Sequence, residues 1–252
     1  MPMFAVKDLA IHFGGIKAVD GVSFEVEQGS IFTIIGPNGA GKTTIFNLVS
    51  RINNPTAGQI FLDGRDITRV PANRVARLGV ARTFQNIELF DNASVLQNIM
   101  VGRHIHIGTN LVSEMLRLPS VAREEMAARR RVEEIIEFLG LSTHRDSPVG
   151  GLSYGVRKMV ELGRALACEP RLLLLDEPSS GLNVEETDNI GLWIRDVRDT
   201  LGITVLMVEH DMRLVSAVSD RVMALNYGRL LAIGTAAEVQ RDPAVISAYL
   251  GN

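Results

Sequence analysis

Apolar and polar positions alternate in the strand manner over residues 3 to 35, as in Val22-Ser23-Phe24-Glu25-Val26-Glu27, with breaks at Gly14-Gly15, Gly21 and Gly29. That pattern predicts a small antiparallel sheet. Ile31-Phe32-Thr33-Ile34-Ile35 closes it with a continuous β-branched and aromatic run, and Thr44 to Val49, beyond a glycine-rich stretch, spaces its apolar residues at helical intervals. After the turn cluster Asn53 to Gly58, residues 59 to 64 read as a strand, Pro71 to Leu78 as a short helix and Val80 to Gln85 as a strand. From Asn86 to about Pro148 the period becomes helical, with Ala128, Val132, Ile135, Ile136 and Leu139 on one face; residues 104 to 119, carrying Gly108 and Pro119, are irregular. Leu172-Leu173-Leu174-Leu175 and Ile203 to Val208 are short continuous apolar runs, the pattern of strands buried on both faces of a parallel sheet. An amphipathic helix follows the first run from Val184 to Leu201, with Asn183 as its N-cap and Glu186 three residues on. Residues 221 to 233 read as a hairpin through Asn226-Tyr227-Gly228, and a last helix runs from Asp242 with Val245, Ile246, Tyr249 and Leu250. The whole predicts an α/β protein with a small antiparallel sheet and an inserted helical lobe.

Composition narrows the class. With 252 residues, 46% apolar content and a formal charge of −3, the chain has the make-up of an ordinary α/β protein with a sizeable core. The near-neutral balance gives no electrostatic reason to expect nucleic acid. Arg129-Arg130-Arg131 is flanked at helical spacing by Glu124, Glu125, Glu133 and Glu134, so it reads as a solvated helix face. A single cysteine, Cys168, excludes an internal disulfide and reads as a small buried apolar residue. No signal-peptide pattern opens the chain, and no run approaches the ~18 apolar residues of a membrane helix, so the expectation is a cytoplasmic protein that cannot span a bilayer alone.

The strongest chemistry lies in Gly36-Pro37-Asn38-Gly39-Ala40-Gly41-Lys42-Thr43, which fits G-x-x-x-x-G-K-[ST] between a strand and a helix. Glycines let the backbone wrap a phosphate, so that successive N–H groups and the helix N-terminus point at it; Lys42 reaches the β/γ-phosphates and the Thr43 hydroxyl a Mg²⁺. Asp176-Glu177 ends a predicted buried strand, where open α/β sheets place ligands, so one acid can hold Mg²⁺ and the other orient or deprotonate water. Ser153 heads a helix in Leu152-Ser153-Tyr154-Gly155-Val156; it reads as an N-cap, and a capped helix start is also an anion site. Two residues stay open on their own pattern: Phe13 is either a ring for a purine base or a core residue, and Gln85 is either a ligand-facing amide or an ordinary loop residue. His104 and His106 lack partners at metal spacing and read as exposed.

Taken in order, the phosphate loop, Gln85, Leu152-Ser153-Tyr154-Gly155, Asp176-Glu177 and His210 resemble an ATP-binding-cassette ATPase over the whole chain. The resemblance implies a RecA-like P-loop NTPase core with an N-terminal antiparallel β subdomain and an inserted α-helical subdomain. It forms one domain in which residues 1–85 and 159–252 make the core and 86–158 the signature lobe. It implies ATP and Mg²⁺ as cofactors, with Gly36 to Thr43 and Thr44 around the phosphates, Phe13 on adenine, and Thr43, Gln85 and Asp176 at the metal. Gln85 also touches the attacking water, Glu177 is general base, and His210 holds the γ-phosphate. Ser153 and Gly155 act on ATP held by a second cassette subunit, related but non-identical or a second copy, so the working unit is a dimer. Ala81-Arg82-Thr83-Phe84-Gln85-Asn86, Val208-Glu209-His210-Asp211-Met212 and Ala248-Tyr249-Leu250-Gly251 look like the ATP-binding subunit of branched-chain amino acid importers; ATPases of urea or amide import and lipopolysaccharide export look similar. The implied partners are transmembrane permease subunits and, indirectly, a solute-binding protein, and the implied location is the cytoplasmic face of the membrane. Tyr154, Val156 and Asn183 depart from the general cassette pattern of Gly, Gln and Asp. A soluble cassette acting on nucleic acid or ribosomes typically carries two cassettes or long coiled coils, and a metabolic P-loop kinase would not need Ser153 or His210.

Overall fold

A computed structural model describes residues 2–83, 87–106 and 119–250. The chain divides into two compact units, Met1–Val75 with Arg171–Asn252, and Ala76–Pro170. Its strands are β1 (Phe4–Phe13), β2 (Ile16–Val26), β3 (Ile31–Ile35), β4 (Ala57–Leu62), β5 (Arg65–Asp66), β6 (Val80–Arg82), β7 (Leu172–Asp176), β8 (Thr204–Val208), β9 (Arg221–Asn226) and β10 (Arg229–Gly234). No described helix is long and apolar enough to cross a membrane.

The first unit holds two sheets. One is antiparallel in the order β2-β1-β4-β5; in the other, this unit contributes the order β10-β9-β3-β8-β7, with β3, β7, β8 and β9 parallel and β10 antiparallel to β9. Alternation in β2 and full burial of β3, β7 and β8 explain the division: a strand with one apolar face lies on a core, while a strand apolar at every position is covered on both. The expected antiparallel sheet therefore needs correcting. β3 leaves it for the parallel sheet, and β4, from beyond the phosphate loop, pairs with β1 instead. Phe4, Phe24 and Phe32 join the two layers, with ring centroids 6.1 and 5.3 Å apart. The predicted hairpin is present as β9 and β10. The predicted last helix starts at Pro243, and Ala236–Arg241 forms a further one, announced by the Thr235/Glu238 capping box. The helix Met212–Val218, capped by Asp211, also escaped the sequence reading.

In the second unit β6 is shorter than the predicted strand, and Gln85, with its neighbours Phe84 and Asn86, lies outside the described residues. Helix Val95–Arg103 starts at a Ser94/Gln97 capping box. Helix Pro119–Phe138 buries Ala128, Val132, Ile135 and Ile136, with Leu139 just beyond its end, the face expected from their spacing. Helix Tyr154–Leu166 presents Gly163 to Ile99, where a Cβ would meet the Ile99 side chain at 2.9 Å, so the two helices pack closely.

Candidate functional site

Parallel register brings three strand ends to one level. Asp176 pairs with Val208, the N–H of Glu177 donates to Val208 O at 2.9 Å, and that of Glu209 donates to Ile34 O at 3.2 Å. The residues after β3, β7 and β8 therefore share one edge: the phosphate loop, Glu177 and Glu209-His210. This is the carboxyl edge of the parallel strands, where the chain must turn and its side chains are free for ligands.

The loop from Gly36 to Gly41 depends on its glycines. Gly36 and Gly41 have φ of 153° and 100°, and a Cβ would lie 2.3 Å from Leu225 O at the first and 2.6 Å from Ala18 O at the second. Helix Lys42–Val49 then begins with no side chain capping it, which leaves its first-turn N–H groups for an anion. Lys42 is buried, and its Nζ donates to Gly36 O at 2.7 Å and Pro37 O at 3.1 Å. Burial lowers the Lys42 pKa, and the nearby carboxylates of Glu177 and Asp176 pull it back up. The ammonium is thus held by two loop carbonyls, with two carboxylates near enough to act on its charge. Thr43 is exposed at the helix start and Thr44 half-buried.

Asp176 is buried at the end of β7, and Glu177 follows at φ 49°, where the chain turns out of the strand. Nδ1 of the exposed His210 lies 3.9 Å from Glu177 Oε2. Glu209 has no solvent exposure. Its Oε1 accepts from the N–H of Ser179 at 2.9 Å, and its Oε2 from those of His210 at 2.6 Å and Asp211 at 3.0 Å. One carboxylate so ties the loop after β7 to the loop after β8. The sequence showed only an acid after a buried strand, with no sign of what it holds.

The first unit therefore gathers the phosphate loop, Lys42, Thr43, Asp176, Glu177 and His210. Phe13, at the end of β1, is 51% exposed, which removes its reading as a core residue. Ser153 and Gly155 belong to the second unit, where Ser153 Oγ accepts from the N–H of Val156 at 3.4 Å as the N-cap of its helix. Asn183 caps its own helix with Glu186 completing the box, as expected. His104 and His106 are exposed, and His106 Nε2 contacts Cys168 O at 2.9 Å. Cys168 is partly buried, and burial pushes its thiol pKa up. Among the described residues no cluster of three His, Cys, Asp or Glu side chains could hold a metal ion by itself.

The sequence profile of the family described as ABC transporter matches residues 19–180. The chain belongs to the ABC transporter family. The cassette is 40% identical, over 99% of its length and 98% of the relative's, to the high-affinity branched-chain amino acid transport ATP-binding protein BraF of Pseudomonas aeruginosa. It is also 40% identical, with the same coverage, to LivG of Salmonella typhimurium, which carries the same description. Among solved structures, the ADP conformation of MJ1267, an ATP-binding cassette of an ABC transporter, superposes with a TM-score of 0.88 at 31% identity and full coverage of both chains. A second profile, described as branched-chain amino acid ATP-binding cassette transporter, matches residues 229–252 of the cassette. Fold and family so agree with the motif order, and the cassette is an ATPase subunit of a transporter.

Proposed function

We propose that the cassette energises import of branched-chain amino acids by hydrolysing Mg-ATP between itself and a second, related cassette. The match of residues 229–252 to the branched-chain family profile carries this reading, because it lies outside the nucleotide motifs that all cassettes share. The whole chain acts as one domain, with 86–158 as its signature lobe. Phe13 takes the adenine, the N–H groups of the loop and of Thr43 and Thr44 take the phosphates, and Ser153 with Gly155 closes the partner's site. The oxygen donors Thr43, Gln85 and buried Asp176 suit a hard cation such as Mg²⁺, which when bound supplies positive charge beside the phosphates. Glu177 takes a proton from the attacking water, His210 steadies the γ-phosphate, and Lys42 offsets the charge that builds on it. Closure and opening of the paired cassettes drive two permease subunits at the cytoplasmic face of the membrane, fed by a solute-binding protein.

Reconstitution tests the reading. The cassette, with its partner cassette and permeases, is placed in proteoliposomes with the binding protein, and ATP-dependent uptake of leucine is compared with that of urea. Leucine uptake is expected. Uptake of urea alone, or ATP hydrolysis with no uptake of either, would remove the amino acid assignment.

A further inference from the structure

The turn joining β9 to β10 lies against the phosphate loop. The N–H of Gly228 donates to Ala40 O in that loop at 2.9 Å, and Gly228 O accepts from the N–H of Asp20 in β2 at 2.9 Å. One residue, through the two peptide groups that flank its Cα, is thus bonded to both. At φ 73° a Cβ on Gly228 would lie 2.6 Å from Ala18 O and 3.0 Å from Val19 Cα, and one on Gly41 would meet the same Ala18 O at 2.6 Å. Three backbones meet there with no room for a side chain. Tyr227, 83% exposed, also has positive φ, 46°, a conformation that a bulky residue takes only where its surroundings impose it. Outside the junction, Arg229 grips Asp20 Oδ2 through Nε at 3.1 Å and Nη2 at 2.8 Å.

The junction sits between the two ends of the nucleotide site. β2 begins at Ile16, which pairs with Phe13, and Ala18 is only two residues on, roughly 7 Å along the strand. A shift of β2 at Ala18 would therefore move the Phe13 turn, while the bond from Gly228 to Ala40 would stay with the loop. We propose that Gly228 is a positioning residue that sets the spacing between Phe13 and the phosphate loop, so that a complete nucleoside triphosphate is preferred over a bare triphosphate. The proposal rests on the roles given above to Phe13 and to the loop.

Gly228→Ala separates the two ends. Its methyl would press on Ala18 and Val19, in β2, and not on the loop. Calorimetry with Mg-ATP and with inorganic tripolyphosphate and Mg²⁺ is expected to show ATP binding weakened about tenfold and tripolyphosphate binding changed less than about twofold, in a protein that still melts cooperatively. Asp20→Asn leaves every backbone contact in place and loosens only side-chain ties, the one to Arg229 across the junction and the one to Lys17 within β2; a smaller loss of about twofold to threefold, again confined to ATP, is expected. Equal loss for both ligands, or none for ATP, would overturn the spacing role. Should Gly228→Ala not fold, Asp20→Asn decides by the same criterion. Wild-type protein that binds neither ligand would instead remove the phosphate loop itself.

Discussion

Nδ1 of His210 lies 3.9 Å from Oε2 of Glu177, although the two residues follow different strands. The parallel pairing of β7 with β8 sets that distance, and the buried carboxylate of Glu209 keeps it by holding the backbone of both loops. In the roles proposed for them, Glu177 as general base and His210 as a γ-phosphate contact, the two side chains would flank the point where water attacks.

Glu177→Gln keeps the shape of the side chain and removes its capacity to accept a proton. ATP hydrolysis is expected to fall about 10² to 10⁴-fold with ATP affinity retained, read by single-turnover kinetics beside calorimetry. A loss under tenfold would assign the proton to the substrate instead. Because ATP would persist between subunits, the same variant is expected to elute as a closed dimer with its partner cassette on gel filtration with Mg-ATP.

Lys42→Ala removes the ammonium that donates to Gly36 O and Pro37 O. Mg-ATP is expected to give no measurable binding heat, and the thermal stabilisation it confers, about 2.7 kcal/mol at a hundredfold excess over Kd, should vanish. Unchanged ATP affinity in the folded variant would refute the loop assignment.

Glu209→Ala leaves the N–H groups of Ser179, His210 and Asp211 without their acceptor. Unfolding in urea should show a loss of about 1–3 kcal/mol, the cost of leaving the buried N–H of Ser179 without a partner, since the N–H groups of exposed His210 and half-buried Asp211 can turn to water. Glu209→Gln, which keeps one acceptor oxygen, should lose less. Equal stability of Glu209→Ala and wild type would mean that these bonds contribute nothing.

The residues that were legible in the sequence and those that were not differ in the range of their interactions. Asp176 and Glu177 follow an apolar run directly, and Lys42 stands between a glycine-rich turn and a helical pattern, so local pattern places them at a strand end or helix start. Ser153 and Asn183 were legible as caps because a capping side chain acts within three residues. Glu209 works through Ser179, thirty residues earlier, and Gly228 through Ala40 and Asp20; neither link leaves a local trace. The pairing of β4 with β1 was hidden for the same reason, since both strands alternate and nothing in either names its neighbour. The Ser94/Gln97 and Thr235/Glu238 boxes are the opposite case, signals contained within three residues of each helix start.

The last prediction concerns the attachment of the cassette to its membrane subunits. In the second unit the segment from Ile87 to Phe90 follows Gln85, the residue proposed to touch Mg²⁺ and the attacking water. The side chain of Asn98, itself fully buried, accepts from the N–H of Phe90 at 2.8 Å and donates to Phe90 O at 3.1 Å. Arg164 donates to Glu88 O, and Arg157 pairs with Asp91 at 2.8 Å, so the segment is also tied to the helix that Ser153 caps. Its backbone is fixed while Phe90 remains 60% exposed and Leu89 half-buried. A large apolar side chain held out on a rigid support is suited to bury itself in a partner, and the partner proposed here is a permease subunit. Leu89→Asp or Phe90→Asp is expected to weaken assembly with the permease by roughly 1 to 3 kcal/mol, the cost of burying a charge in place of an apolar anchor. Basal hydrolysis by the isolated cassette should change little, because neither side chain belongs to the nucleotide site. Co-purification with the permease, an ATPase assay and a thermal melt check both halves together. Assembly at wild-type strength would show that these side chains are not the anchor, and a collapsed melt would show that they belong to the packing of the lobe.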